Sequence, residues 1–134
     1  MTDDESAIGD LVSALFAAFT QGPDLDVRLD RLPDLFLPGA LIVRTCGAVT
    51  AYDVAGFIAP RRDLLSSGRI ADFREWEVAG TTQMYGDVAH HWCRYAKAWT
   101  EGGTAMTGAG GKTLQLVRTD AGWRISAVAW DDTR

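Results

Sequence analysis

Apolar residues recur at two different spacings in the two halves of the chain. In the first half they follow the i, i+3, i+4, i+7 stripe of an amphipathic helix, most clearly over residues 4–20. Shorter stripes predict a second helix over 26–36 and a third that begins at an Asp53 N-cap and is kinked or divided at Pro60. A short β run over 40–45 lies between these two helices.

The second half alternates between apolar and other residues, which is the period of a β-strand. Four such segments, 70–83, 87–99, 104–118 and 123–131, are separated by glycine-containing turns. Tight turns between consecutive alternating segments predict an antiparallel meander of four strands. The chain therefore reads as one α+β domain spanning residues 1–134, with the three helices covering the apolar face of the sheet.

The segment 87–99 is the central strand of this prediction, and its period of two separates its side chains onto two faces. His91 and Tyr95 share the apolar inner face, whereas Trp92 and Arg94 lie on the outer face.

Strand pairing through two-residue turns extends both faces. The period of two also places Trp99 on the inner face, and pairing adds Trp76 to that face and Gln115 and Trp130 to the outer one. The same pairing places Glu77 opposite Arg94. A bulge within 108–111 is the main alternative, because one extra residue reverses every side chain beyond it.

Composition narrows the classes of function. The 134 residues are 47% hydrophobic and 23% charged, with a net charge of −5. That charge argues against nucleic acid or anionic membrane as a partner, because both require a basic face. Without an apolar run of membrane-spanning length, we expect a cytoplasmic protein. Cys46 and Cys93 fit no metal or redox spacing, so we expect free thiols. We expect no metal, because no second histidine shares the inner face and no acidic cluster stands at ligand spacing, and we expect no cofactor.

The order of elements and two local runs carry a resemblance to a known fold. Residues 86–89 open a long strand that reaches Arg94 and Tyr95, and residues 112–119 lead through a turn into 122–125. In this the chain resembles the SnoaL-like branch of the nuclear transport factor 2-like superfamily. The resemblance implies a cone-shaped fold in which three N-terminal helices pack on a curved antiparallel sheet.

The resemblance also implies a conical cavity between helices and sheet, and dimers formed through the outer face of the sheet. Enzymes of the superfamily place acid–base residues in this cavity, whereas many other members only bind small molecules. The ketosteroid isomerase pattern is not met, because the first helix offers Phe16 and Phe19 where a tyrosine would be needed.

His91 and Tyr95 are the candidate catalytic residues. An imidazole on the inner face can exchange a proton near neutral pH, and Tyr95 would place its hydroxyl in the same cavity. The alternative is that both are core residues whose polar atoms bond to neighbours.

Six residues are candidate contacts for a ligand. Arg61 lies on the apolar stripe of the third helix and needs an anion, either an internal carboxylate or a carboxylate or phenolate of a ligand. The six are Arg44, Tyr52, Phe57, Arg61, Trp76 and Trp99.

The outer face carries large aromatic residues among polar ones, which predicts a homodimer interface. Its members are Trp92, Arg94, Gln115 and Trp130. Three functions remain open at this point. The chain binds a small apolar or aromatic molecule, or it is a cofactor-free isomerase, dehydratase or cyclase using His91, or it is a non-catalytic dimeric interaction module.

Overall fold

In the computed structural model, which describes residues 2–133, three α-helices cover one face of a curved six-stranded sheet. The helices are α1 (Asp3–Ala17), α2 (Leu25–Arg31) and α3 (Val54–Ser66), and a one-turn 3-10 helix (Leu32–Leu35) follows α2. The strands are β1 (Phe36–Arg44), β2 (Thr50–Tyr52), β3 (Ile70–Tyr85), β4 (Val88–Glu101), β5 (Thr104–Thr119) and β6 (Gly122–Asp132).

Helix α1 forms where the apolar stripe predicts it. The hydroxyl of Thr2 accepts a hydrogen bond from the Glu5 backbone N–H at 3.1 Å, which caps the first turn. Ile8, Leu11 and Leu15 are among the residues on its buried face. None of the described helices has both the length and the apolar composition that a membrane-spanning helix requires.

The other two helices differ from the prediction at their prolines. The segment predicted as one helix over 26–36 is divided, because Pro33 lacks the N–H that would continue α2, and a 3-10 turn forms instead. In contrast, α3 runs unbroken through Pro60, so the division into two pieces does not occur. Its predicted cap is confirmed: Asp53 accepts the Gly56 N–H at 2.7 Å.

The meander of β3 to β6 is confirmed, and two further strands extend it into the order β2-β1-β6-β5-β4-β3. β1 pairs with β6 in parallel and with β2 in antiparallel orientation, so the sheet is mixed and not wholly antiparallel. The three residues of β2 are too few for an alternating pattern to reveal them.

A bulge in β3 reverses the faces predicted for its first half. The register with β4 shifts between Glu77 and Ala79, so Glu77 lies opposite Tyr95 and Trp76 opposite Ala96. Trp76 consequently points outward and is 40% exposed. The predicted inward orientation of Trp76 and the predicted Glu77–Arg94 pair are therefore wrong.

Another bulge lies in β6. Leu116 pairs with Ile125 but Gln115 pairs with Ala127, which leaves Ser126 as the extra residue. The shift turns Trp130 toward the helices, so its predicted place on the outer face is wrong. The bulge considered as an alternative at 108–111 is absent, because β4 and β5 pair without interruption.

Candidate ligand-binding cavity

A cavity of about 410 Å³ lies between the helices and the concave face of the sheet. Phe57 of α3 is central to its aromatic wall, with ring centroids 5.7 Å from Phe19, 6.1 Å from Tyr52 and 5.6 Å from Trp130. The remaining apolar wall comes from α1, α3 and the strands, and consists of Leu15, Phe36, Ile42, Pro60, Leu64, Leu65, Phe73 and Val128. A space of this size and lining suits a small ring system.

Charged side chains interrupt the apolar wall. Among the residues that the structure describes, the lining includes four basic and two acidic side chains, namely Arg44, Arg61, Lys97, Lys112, Glu75 and Asp132. Buried charges require partners, so the pairing of each one decides what the cavity can bind.

Lys112 and Glu75 form the most buried of these pairs. Lys112 Nζ lies 3.2 Å from Glu75 Oε1, and the two side chains are only 9% and 14% exposed. The ammonium also lies over the rings of Phe16 and Tyr95, at 4.5 and 5.2 Å from their centroids. The pair joins β5 to β3 across the intervening β4.

Asp132 is the centre of a second cluster. Its carboxylate accepts hydrogen bonds from the Tyr95 hydroxyl and from Lys97 Nζ, the latter at 3.2 Å to both oxygens. Burial acts to raise the pKa of Asp132, but the bonds from Tyr95 and Lys97 outweigh it and lower that pKa. Burial, and then the neighbouring carboxylate, raises the pKa of Tyr95 well above its usual value. Tyr95 therefore keeps its proton and acts as a hydrogen-bond donor to Asp132.

Two glycines of β5 leave room for side chains of β4 to extend across β5 to this cluster. Gly110 lies opposite Tyr95 and Gly108 opposite Lys97. Neither has a side chain, so the phenol ring and the lysine stem lie across β5 and reach β6; a Cβ on Gly108 would stand 2.7 Å from Lys97 Cε. The space above these glycines is thus occupied by Tyr95 and Lys97 and does not add to the cavity.

Arg44 and Arg61 occupy another part of the wall, near Tyr52. Arg61 Nη1 donates to the Phe57 carbonyl at 3.0 Å, and its guanidinium lies 3.9 Å from the Phe57 ring centroid. Burial lowers the pKa of Arg61, Tyr52 partly offsets this, the positive charge of Arg44 lowers it further, and the negative charge of Glu75 acts weakly in the opposite direction. Arg44 is exposed at the opening of the cavity and donates to Cys46 Sγ at 3.2 Å.

His91 is buried but does not line this cavity. Its Nε2 lies 2.5 Å from Glu77 Oε2, and its Nδ1 lies 2.8 Å from the Thr82 hydroxyl. The structure therefore does not bring His91 and Tyr95 together in one pocket. The β3 bulge explains the contact with Glu77, since it places Glu77 on the inner face.

Glu77, His91 and Cys93 are also the one group of metal-ligand types that residues 2–133 bring together, with donor atoms within 4.8 Å of one another. Zinc sites use such donors, but they need the thiolate form of cysteine. Burial raises the pKa of Cys93 to about 12, so the thiol holds its proton. In the metal-free protein the three residues therefore form a protonated thiol and a hydrogen-bonded histidine–glutamate pair, and a metal would have to displace both the thiol proton and that hydrogen bond.

Trp99 lies beside the main cavity. Its ring centroid is 6.0 Å from that of Phe73, and its indole N–H donates to Glu101 at 3.1 Å. It lines a smaller space of about 330 Å³ that shares Phe73, Leu64 and Lys97 with the main cavity.

The outer face of the sheet keeps three of the four residues predicted for an interface. Trp92, Arg94 and Gln115 are all exposed there, Trp92 by 46%. Trp76 joins this face because of the β3 bulge, and the Arg74 guanidinium lies 5.3 Å from the centroid of its ring.

Four charged residues that line the cavity were not among the ligand contacts predicted from the sequence. Lys97 and Lys112 could have been found, because they have the same parity as Tyr95 and Gly110 along their strands. Glu75 and Asp132 could not, since each reaches the inner face through a bulge that no residue pattern marks.

Comparison with known proteins rests on structure alone, since the sequence matches no family model and no curated protein. An NTF2-like protein with a cystatin-like fold from Novosphingobium aromaticivorans has 20% identity and a TM-score of 0.74 over 97% of this chain and 82% of its own. A candidate aromatic ring hydroxylase from the same organism has 20% identity and a TM-score of 0.76 over 98% and 90%.

A type 2 hexachlorocyclohexane dehydrochlorinase is similar as well, with 14% identity and a TM-score of 0.77 over 97% of this chain and 85% of its own. Such identities establish architecture and leave chemistry open. The chain has the nuclear transport factor 2-like fold.

Proposed function

We propose that the protein binds a small apolar or aromatic molecule in the cavity between its helices and the concave face of the sheet. The observation that carries this proposal is the cavity itself, whose volume of about 410 Å³ is bounded largely by aromatic and aliphatic side chains. Pockets of this size that combine apolar walls with a few polar groups are typical ligand sites. Two structures of similar fold are named for chemistry on small rings, one aromatic and one chlorinated.

A cavity-filling variant tests the proposal. Leu64 lies on α3 and lines the cavity, so Leu64→Trp adds bulk inside it, whereas Ala59→Trp adds the same ring on the exposed side of the same helix. Neutral aromatic and alicyclic compounds should raise the melting temperature of the wild type and of Ala59→Trp, but not of Leu64→Trp. An equal response from Leu64→Trp would contradict cavity binding. No response of the wild type to any aromatic compound, neutral or anionic, would contradict it as well and favour an interaction module.

A cofactor-free isomerase, dehydratase or cyclase is the second candidate. The contact between His91 and Glu77 favours it, because a carboxylate fixes the orientation of an imidazole ring. It ranks second because Glu77 and Thr82 occupy both ring nitrogens and the ring is not part of the cavity wall. Loss of turnover in His91→Gln with retained ligand binding would support it.

We also propose a homodimer formed through the outer face of the sheet. The exposed indole of Trp92 rests against Gly111, so it presents a flat apolar surface beside Arg94 and Gln115. Trp92→Asp should convert a dimer into a monomer in light scattering. An unchanged mass would place any interface elsewhere.

A further inference from the structure

The cavity wall is positive although the chain is acidic. Of the described residues that line it, the basic side chains exceed the acidic ones by two, whereas the whole chain has a net charge of −5. Charge of one sign concentrated in a recess with apolar walls raises the local potential more than the same charge on an open surface. The cavity is therefore electrostatically suited to an anion.

The uncompensated charge can be assigned to particular side chains. Lys112 is neutralised by Glu75 and Lys97 by Asp132, each at 3.2 Å. Within residues 2–133, no carboxylate oxygen lies within 4.0 Å of a guanidinium nitrogen of Arg44 or Arg61. Glu75, which is paired directly with Lys112, acts on Arg61 only beyond ion-pair distance. The positive excess thus lies mainly on the two arginines.

Arg61 still has donors to offer. One of its N–H groups bonds to the Phe57 carbonyl, and a guanidinium carries five in all. No fully buried side-chain nitrogen or oxygen among the described residues lacks a partner, so the guanidinium nitrogens of Arg61 that make no hydrogen bond are accessible, and Arg61 is one of the residues that line the cavity. They lie among the rings of Phe57, Tyr52 and Trp130, with the guanidinium carbon 3.9, 5.5 and 5.4 Å from the three centroids.

We infer that the ligand is a hydrophobic carboxylic acid, bound as its anion with the carboxylate between Arg61 and Arg44 beside Tyr52. This inference rests on the proposed function and adds the chemical class of the ligand. The planar fork of a guanidinium matches the two oxygens of a carboxylate, and a half-buried cation beside a second cation gains most from an anion. The ring of the acid lies against Phe57 and Trp130.

A pair of compounds that differ in charge but hardly in shape tests the inference. Isothermal titration of the wild type with 2-naphthoate and with 2-naphthamide should show the acid binding about tenfold more tightly or better, since charged hydrogen bonds exceed neutral ones by this much. Arg61→Gln and Arg44→Gln should each abolish most of this preference while leaving the affinity for the amide within about twofold.

Arg62→Gln is the matched control, because Arg62 is the next residue of α3 and pairs with Asp26 and Asp30 outside the cavity. It should keep the full preference for the acid. Arg44 is exposed, so Arg44→Gln gives a readout even if Arg61→Gln folds poorly.

The outcomes separate this inference from the proposed function. Equal affinity for acid and amide, or a preference that survives both arginine substitutions, would overturn the carboxylate assignment and leave cavity binding intact. If neither compound binds and no neutral aromatic raises the melting temperature, both proposals are overturned.

Discussion

The positive charges on the two sides of the cavity have different partners: the two lysines are paired with carboxylates, whereas the two arginines are not. Lys112 and Lys97 each contact a carboxylate of the same chain, at 3.2 Å. Arg61 contacts a carbonyl and aromatic rings, and Arg44 contacts the sulfur of Cys46. The lysine charges therefore contribute to the stability of the fold, whereas the arginine charges remain available to a ligand.

The lysine pairs also show how a curved sheet holds itself together. Lys112 reaches from β5 to β3 and Lys97 from β4 to β6, so each pair spans one intervening strand. Strands two apart are separated by roughly 10 Å in a flat sheet. The concave side brings their side-chain tips together, and the paired lysines therefore stabilise the curvature that forms the cavity.

Among these substitutions, Glu75→Gln is expected to destabilise the protein most. It leaves the Lys112 ammonium buried without an anion, so the free energy of unfolding should fall by about 3 kcal/mol. Urea denaturation followed by tryptophan fluorescence measures it. Asp120→Asn, at an exposed turn, is the control and should change little. A loss no larger than that of the control would show that the pair is not structural.

A smaller, pH-dependent effect is expected from Asp132→Asn. Folding lowers the pKa of Asp132, so its ionised form stabilises the folded state above the unfolded-state value of about 3.9. The stability advantage of the wild type over Asp132→Asn should be constant near neutral pH and shrink as the pH falls below about 4. Urea titrations across this range measure it, and an advantage that grows on acidification would contradict the account.

The smallest effect on stability is expected on the arginine side. Arg61→Met keeps the apolar stem of the side chain and removes a half-buried charge that has no carboxylate within ion-pair distance, so the free energy of unfolding should change by less than about 1 kcal/mol or rise slightly. Lys112→Met, made in parallel, should be clearly destabilising because it leaves Glu75 unpaired. If both variants lose the same free energy of unfolding, the lysines and the arginines do not differ in their contribution to stability.

Much of the architecture follows from periodicity. The helical stripe of α1 and the alternating segments of β3 to β6 depend on local spacing, which the sequence displays directly. Arg61, Phe57 and Tyr52 were also predictable as cavity residues, because helix α3 and its Asp53 cap fix which side chains face the sheet.

The charge pairing was not predictable, for a physical reason. A bulge adds one residue without a distinct residue pattern, and two of them decide that Glu75 and Asp132 face inward while Trp76 faces outward. The same bulges turn Trp130 into the cavity and Glu77 toward His91. Side-chain chemistry in this protein thus depends on strand register, which is a tertiary property.

A crystal structure of the complex with 2-naphthoate tests the central claim most directly. We expect the naphthalene ring to pack against Phe57 and Trp130, and a carboxylate oxygen to lie within about 3 Å of a guanidinium nitrogen of Arg61 or Arg44. We also expect the Lys112–Glu75 pair to remain as it is in the free protein. A carboxylate bound to Lys112 with Glu75 displaced, or a ligand bound outside the cavity, would contradict that claim.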